Sequence, residues 1–204
     1  MSTARRKPSR IQKENRKRIL DAALGLFAEQ GFRGTTLDQI ADACGMHKPN
    51  LIYYYKNKEA IHVDLLNTLM AEWLSPLDQM NPDGDPLDEI MSYIHRKMEM
   101  SRLYPRESRL FANEIVQGAP RMRPYLESTL KPLFDKQCAV LRQWMQDGKL
   151  AQMHPEHLIF SIWAVTQHYA DFETQIAVLM PEDHQRRRDA DEFVENMFVK
   201  LLTP

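Results

Sequence analysis

The chain has 204 residues, of which 43% are hydrophobic, and its formal net charge at pH 7 is -1. No apolar run is long enough to cross a membrane, and the two cysteines, Cys44 and Cys138, are too few for a disulfide framework. The charged N-terminus has no apolar segment behind it, which argues against a secretory signal. We therefore expect reduced thiols in a cytoplasmic protein without a membrane partner.

The small net charge conceals an asymmetry along the chain. Residues 1–60 contain 12 Lys or Arg and 6 Asp or Glu, a net of +6, whereas the remaining residues contain 15 and 22, a net of -7. Many of the basic residues lie before residue 19 and form a basic N-terminal arm. A basic N-terminal part on an acidic body is typical of a protein that binds a polyanion such as DNA.

Four helices are predicted in the first part of the chain, over residues 11–30, 38–44, 49–54 and 57–76. The apolar residues of this part recur at the three- and four-residue spacing of buried helix faces. Gly31 follows the first helix, where a left-handed residue is favoured. Thr36 and Gln39 form a capping-box pattern before the second helix, and Pro76 is expected to stop the fourth.

Residues 37–54 meet the geometric requirements of a helix-turn-helix unit. Two helices that cross at about 90–120° need a small residue where they approach, which is Ala41, and a turn residue that tolerates positive φ, which is Gly45. Ile40 and Leu51 fall at positions that face the first helix. We expect Cys44 to belong to the same packing and not to act as a redox group.

The second helix of such a unit lies in the major groove of DNA, with its N-terminal side chains near the bases. Lys48 can donate to guanine, and Asn50 can form a bidentate pair with adenine. The flanking helix ends and tyrosine hydroxyls are expected to meet phosphates, which position the protein without specifying sequence. The predicted DNA-binding residues are Thr35, Thr36, His47, Lys48, Asn50, Tyr53, Tyr54 and Lys58.

A loop rich in Pro, Asp and Gly at residues 81–86 precedes the rest of the chain. Further helices are predicted over residues 87–103, 106–117, 121–147, 155–179 and 188–202. No segment has the period of a strand, so the predicted fold is all-α with about nine helices. We expect a three-helix DNA-binding domain with a basic arm at residues 1–58, and a helical effector-binding and dimerisation domain at residues 59–204.

Three residues of the second domain are predicted to bind a small effector: Trp73, Trp163 and Gln167. Trp163 and Gln167 are four residues apart and share one face of a mostly apolar helix. An indole stacks on a flat ring, and a buried amide is costly unless it is hydrogen-bonded. A small, flat, polar effector is one interpretation. The other is that Trp163 belongs to the core and Gln167 bonds a helix end or a second subunit.

Neither metal binding nor catalysis is supported by the spacing of polar residues. His168 and Asp171 are three residues apart, but a zinc site needs three or four ligands and no others are evident. Ser161 and His168 have neither a nucleophile elbow nor a Gly-rich anion loop near them. We therefore expect no enzyme activity, no metal ion and no cofactor.

A homodimer is expected because a single short recognition helix contacts few bases. A two-fold dimer matches a palindromic operator of double-stranded DNA with half-sites about 34 Å apart or a multiple of that. The two last predicted helices, at 155–179 and 188–202, are expected to pair with their counterparts in a four-helix bundle. The apolar residues expected there are Ile159, Ile162, Phe172, Phe193, Met197 and Leu201.

Residues 14–66 resemble the TetR family of bacterial repressors. The resemblance lies in Leu-Phe-Ala-Glu-Gln-Gly-Phe at 26–32, Gly-Thr-Thr at 34–36, Ile-Ala-Asp-Ala-Cys-Gly-Met at 40–46 and Leu-Ile-Tyr-Tyr-Tyr at 51–55. His47 and Pro49 depart from the residues that are usual in the family. Both lie at the start of the recognition helix, so an operator preference is not carried over from relatives.

The C-terminal part is similar to the pyrimidine-utilisation (Rut) regulators within that family. The similar residues are Trp-Leu-Ser-Pro-Leu at 73–77, Ser-Arg-Leu-Phe at 108–111, Gly-Ala-Pro at 118–120, Leu-Ile-Phe at 158–160 with Trp163, and Thr-Gln-His-Tyr-Ala-Asp-Phe at 166–172. The resemblance implies a DNA-binding repressor whose C-terminal domain dimerises and holds a small effector, for which a pyrimidine is a candidate. Two alternatives stay open: an efflux-type repressor that responds to larger hydrophobic compounds, and a helical protein-interaction module.

Overall fold

The computed structural model describes residues 9–181 and 183–204. The part of the predicted basic arm that precedes residue 9 lies outside the described residues. The helices are α1 (Arg10–Gly34), α2 (Leu37–Ala43), α3 (Lys48–Tyr54), α4 (Lys58–Asp78), α5 (Pro86–Leu103), α6 (Pro105–Val116), α7 (Arg123–Tyr125), α8 (Lys131–Gln146), α9 (Pro155–Asp171), α10 (Glu173–Leu179) and α11 (Asp183–Leu202). A π-helical segment, Leu126–Leu130, joins α7 to α8. The predicted all-α fold is confirmed.

The structure divides two helices that the sequence pattern predicted as continuous. The helix expected at 121–147 contains the π-helical segment, which precedes Pro132 of α8; a proline has no N–H to donate, and the wider turn accommodates it. The helix expected at 155–179 breaks at Phe172, where φ is -112° and ψ is 25°. There the carboxylate of Asp171 accepts a hydrogen bond from Ser108 of α6, a tertiary contact that hydrophobic spacing does not reveal.

The prediction that Pro76 stops the fourth helix is wrong, because α4 continues to Asp78. A proline near the end of a helix removes one backbone hydrogen bond, and only in the last turns. The carbonyl of Ser75 is still bonded by the N–H of Gln79. The last turn therefore forms despite the proline.

The first of two compact units ends at Thr68. Its core consists of side chains from all four of its helices: Ile19, Phe27, Ile40, Leu51 and Ile61 are fully buried. These side chains lie on the apolar stripes that the sequence predicted. Non-directional burial of this kind provides most of the stability of short helices such as α2 and α3, which are marginal in isolation.

Three polar side chains tie α4 to the rest of this unit. The Tyr55 hydroxyl, just after α3, donates to the Asp64 carboxylate of α4 over 2.5 Å, and Arg16 of α1 donates to the same carboxylate over 2.8 Å. The Arg16 guanidinium also lies over the Tyr55 ring, 4.8 Å from its centroid. The start of α4 thus belongs to the first unit, which extends beyond residue 58, where the sequence placed the domain boundary.

The second unit comprises Leu69–Pro204. Its core joins α5, α8, α9 and α11, and its fully buried members include Ile94, Leu141, Ile159 and Phe198. Ile159 and Ile162 were expected at a dimer interface, and this expectation is wrong because both are buried inside a single chain. Three of the other residues expected there are exposed: Phe172, Phe193 and Leu201.

The hydrogen bond between Tyr55 and Asp64 generates a stability prediction. Tyr55→Phe removes the hydroxyl from a buried ring, so we expect the free energy of unfolding to fall by about 1 kcal/mol in urea denaturation. Tyr53→Phe is the matched control, since the Tyr53 ring is exposed and its hydroxyl accepts a hydrogen bond from Gln12 that is itself exposed to solvent. Equal losses in the two variants would show that the Tyr55 hydroxyl does not anchor α4.

Candidate DNA interface and effector site

The turn between α2 and α3 has the predicted helix-turn-helix geometry. Gly45 has a φ of 63°, in the left-handed region that favours glycine. The N–H groups of Gly45 and Met46 return to the carbonyls of Asp42 and Ala41, and Ala41 is buried where the two helices meet. The sequence thus predicted both the small contact residue and the left-handed turn residue correctly.

One face of α3 is open to solvent while the other packs on the core. Leu51 is fully buried, whereas His47, Lys48 and Asn50 are exposed and Tyr53 is 73% exposed. His47 is the N-cap residue of α3, and its side chain makes no cap hydrogen bond. A helix N-terminus with exposed basic and amide side chains is the arrangement that a groove-binding helix requires.

Several of these exposed side chains have partners within the chain. The Lys48 ammonium lies 2.9 Å from Asp38 of α2, and both residues are solvent-accessible. The hydroxyls of Tyr53 and Tyr54 accept hydrogen bonds from Gln12 and Asn15 of α1, over 3.3 and 2.8 Å. Tyr54 is half-buried. An exposed ion pair contributes little to stability, so separating Lys48 from Asp38 costs little.

Thr36 and Thr35 occupy different environments despite being adjacent. Thr36 is exposed and caps α2 through a capping box with Gln39. Thr35 is fully buried, and its hydroxyl donates to the Gly31 carbonyl over 2.9 Å. The expectation that Thr35 meets a phosphate is therefore corrected, because its burial withdraws it from any contact with DNA.

Lys58 also differs from its predicted environment. Its ammonium donates to the carbonyls of Phe32 and Thr35, each over 2.7 Å, and lies 4.4 Å from the centroid of the Phe32 ring. A cation beside the last carbonyls of a helix is favoured by the helix dipole. Lys58 thus caps the end of α1, where the sequence predicted a free phosphate contact.

The residues predicted to bind an effector lie in the second unit and have distinct surroundings. Trp163 donates through its indole N–H to the Tyr93 hydroxyl over 2.6 Å and lies beside Phe134. Trp73 is 5% exposed, and its indole Nε1 is buried without an acceptor among the described residues. Gln167 is half-buried on the same helix as Trp163.

A stripe of buried polar side chains on α5 was missed by the sequence reasoning. Tyr93, Lys97 and Ser101 follow at four-residue intervals and are each at most 5% exposed. The Lys97 ammonium lies over the Trp73 ring, 4.5 Å from the centroid. The sequence did contain a signal: Lys97 lies three and four residues after the apolar Ile94 and Tyr93, on the same face of the helix. A lysine on an apolar helix face indicates a buried charge.

The environment of Lys97 perturbs its ionisation. Burial lowers the pKa of its ammonium to about 8 from the ordinary 10.5, and the Asp171 carboxylate opposes this shift. Burial raises the pKa of Asp171 in turn, and the hydrogen bond from Ser108 and the charge of Arg109 act in the other direction. An ionisable group shifted by burial within a cleft is typical of a functional site.

A cavity of about 80 Å³ lies next to the polar stripe, at the ends of α5 and α9. Ser101, Thr166, Tyr169 and Glu173 are among the residues that line it. Trp73, Trp163 and Gln167 do not. Gln137 of α8 is another missed residue, since it is fully buried and both polar atoms of its amide lack partners among the described residues.

Two searches over the described residues found no further class of site. No group of three or more His, Cys, Asp or Glu side chains within residues 9–181 and 183–204 is placed to hold a metal ion. No helix in that part of the chain has the length and apolar character needed to cross a membrane.

The helix-turn-helix and the helical second unit together define a DNA-binding transcriptional regulator. Residues 19–64 match the bacterial regulatory proteins of the tetR family, and residues 66–204 match the C-terminal region of YcdC-like proteins. The chain belongs to the TetR family.

Individual relatives agree with this assignment. The chain is 46% identical over 170 residues to the HTH-type transcriptional regulator RutR of Escherichia coli K12, covering 83% of this chain and 80% of that protein. It is 29% identical over 140 residues to the regulator SrpR of Pseudomonas putida, covering 62% and 64% of the two chains. The fold matches the crystal structure of apo AibR with a TM-score of 0.67 at 19% identity, covering 93% and 99% of the two chains.

The buried ammonium of Lys97 generates a pH prediction. Between pH about 8 and 10.5, Lys97 is neutral in the folded chain and charged in the unfolded chain. The free energy of unfolding of the wild type therefore increases as pH rises through this window. We expect Lys97→Met to lack this increase in the free energy of unfolding. Urea denaturation at both ends of the pH window measures it. Lys136→Met, at an exposed lysine, is the control. Parallel pH curves for the wild type and Lys97→Met would contradict the assigned environment.

Proposed function

We propose that the protein is a repressor that binds a palindromic DNA operator as a homodimer and is controlled by a small, flat, polar effector. The observation that carries the DNA-binding part is the exposed N-terminal face of α3, with His47, Lys48 and Asn50 beside the 73% exposed Tyr53. Bases are recognised by donors and acceptors that project together from one helix end, and these side chains have that chemistry.

The proposed contacts divide into base recognition and positioning. Lys48 and Asn50 are the base-reading candidates, because ammonium and amide groups pair with guanine and adenine edges. The exposed cap residue Thr36 and the hydroxyls of Tyr53 and Tyr54 contact phosphates, which fix the register of the protein on the duplex. His47 lies at the N-terminus of α3, where it reaches either a base edge or a phosphate.

The proposed DNA interface predicts a loss of operator binding in two variants. Lys48→Ala weakens binding roughly tenfold or more, since a good base contact contributes about 1–3 kcal/mol. Tyr53→Ala weakens binding because it removes a phosphate contact that positions the protein on the duplex. A gel shift measures the affinity on an operator selected from random DNA, and sedimentation verifies that the dimer is intact.

Lys131→Ala is the matched control for these variants, because Lys131 is also exposed and paired with an acid but lies in the second unit. Unchanged operator affinity in Lys48→Ala and Tyr53→Ala would refute the groove assignment of α3. Failure of the whole chain to select any DNA sequence would refute the proposed function.

Dimerisation is proposed through α9 and α11 together with the segment between them. Phe193 of α11 is 62% exposed, and Phe172 and Leu201 are also exposed in the single chain. Large apolar side chains left exposed by the single chain favour a role in an interface. A second copy of the chain covers them in a two-fold arrangement, which uses the same patch on both subunits.

The effector is proposed to bind near Trp163, Gln167 and Trp73. Trp163 offers an indole face beside Phe134, and the half-buried Gln167 lies one helical turn away on the same helix. Flat rings stack on indole, and an amide forms paired donor and acceptor bonds with a cyclic imide. A pyrimidine has this chemistry, and the sequence resemblance to pyrimidine-utilisation regulators favours it.

Helix α4 is the proposed route from effector to DNA. It contributes Asp64 to the contacts with Tyr55 and Arg16, and it contributes Trp73 to the second unit. An effector that moves Trp73 displaces the same helix that anchors the residue following α3. The effector weakens DNA binding only to the extent that it prefers the displaced state; a 100-fold preference corresponds to about 2.7 kcal/mol.

The proposed effector site predicts that Gln167→Ala abolishes release of the operator by uracil without unfolding the protein. Calorimetry with uracil, thymine and a cationic dye measures binding, and a gel shift measures release. Gln143→Ala is the control, because Gln143 is exposed on α8 and its amide donates to Asp147 of the same segment. A surviving response in Gln167→Ala places the effector elsewhere, and a response to the dye alone favours the efflux-type alternative.

A further inference from the structure

The centre of the second unit contains hydrogen-bond donors without matching acceptors. Lys97 is 4% exposed and Trp73 is 5% exposed. The indole Nε1 of Trp73 is buried without a hydrogen-bond acceptor among residues 9–181 and 183–204. The ammonium of Lys97 lies against the face of the Trp73 ring. The two groups are adjacent, since the ammonium lies 4.5 Å from the centroid of the indole ring. A buried ammonium thus lies next to a buried indole N–H that no acceptor of the described chain meets.

The charge of Lys97 is only partly compensated. The Trp73 ring attracts the ammonium through its π electrons. The Asp171 carboxylate acts on Lys97 from a distance, but its own hydrogen bond comes from Ser108 over 2.5 Å. A buried charge is costly unless it is paired and hydrogen-bonded, so such an arrangement is expected where a ligand completes it.

These donors adjoin the residues of the proposed effector site. Lys97 lies one helical turn from Tyr93 on the buried face of α5, and the Tyr93 hydroxyl is bonded by the indole of Trp163. Both indoles that the sequence predicted therefore contact α5. Trp163 contacts Tyr93, and Trp73 contacts Lys97. Lys97 is therefore the charged group of α5 that lies next to one of the two predicted indoles.

We propose that Lys97 and the Trp73 indole N–H form an anion subsite, and that the effector carries a negatively charged oxygen. This inference rests on the proposed function, because it specifies the chemical class of the effector at that site. The charged oxygen is either an ionised oxygen on the ring or a carboxylate attached to it. A neutral pyrimidine offers only carbonyl oxygens to the ammonium and binds more weakly.

The subsite also predicts a proton linkage. Burial lowers the pKa of Lys97 to about 8, so part of the protein population is deprotonated in mildly alkaline solution. An anion next to the ammonium favours the charged form and raises its pKa. Binding of the anion therefore takes up protons at such a pH, and its affinity falls as the pH increases.

The test compares three probes of similar shape by calorimetry without DNA: uracil, barbiturate with an ionised ring oxygen, and orotate with a ring carboxylate. We expect at least one anion to bind the wild type roughly 10- to 100-fold more tightly than uracil, as hydrogen bonds to charged groups do. Lys97→Met removes this preference, and Trp73→Phe, which retains the ring and loses the N–H, reduces it. Lys136→Met retains it.

Barbiturate and orotate distinguish the two sources of the negative charge. Tighter binding of barbiturate indicates an ionised ring oxygen, and tighter binding of orotate indicates a carboxylate. The subsite is wrong if neither anion binds more tightly than uracil, or if the preference survives in Lys97→Met while circular dichroism indicates an intact fold. If uracil releases the operator but neither anion binds, the proposed function is supported and the anion subsite is wrong. A chain that selects no operator fails the proposed function, and the calorimetry still decides the subsite.

Discussion

The left-handed turn at Gly45 is the constraint on which the proposed DNA-binding surface depends. Its φ of 63° redirects the chain so that the N–H of Met46 returns to Ala41 and α3 leaves at a new angle. A Cβ at Gly45 would lie 3.4 Å from the guanidinium of Arg18, which donates to the Cys44 carbonyl over 2.7 Å. Leu51 packs inwards as a result, and the polar face of α3 is left for solvent.

The same unit uses charged side chains for two different purposes. Lys58 and the pair Arg16 and Asp64 are engaged in internal contacts that fix helix ends and anchor α4. Lys48 is exposed, and its ion pair with Asp38 is open to water and contributes little to stability. Position within the packing, and not residue type, separates a structural lysine from one available to DNA.

The second unit combines an apolar core with a costly polar interior. Tyr93, Lys97 and Ser101 lie on the buried face of α5, where hydrophobic side chains would stabilise the chain more. Lys97 faces the Trp73 ring, and Trp163 is bonded to Tyr93. The proposed role of these buried polar groups is to recognise a ligand.

The sequence by itself determined the helical fold, the turn at Gly45 and the exposed face of α3, because these follow from local spacing and from the conformational freedom of glycine. It misplaced Thr35 and Lys58, and it missed Lys97 and Gln137. It also could not predict the break at Phe172. Burial and hydrogen-bond partners for these residues come from segments far away in the chain, such as Ser108 for Asp171 and Trp73 for Lys97. Only the tertiary structure decided them, since side-chain environment is a property of packing between helices and not of periodicity within one.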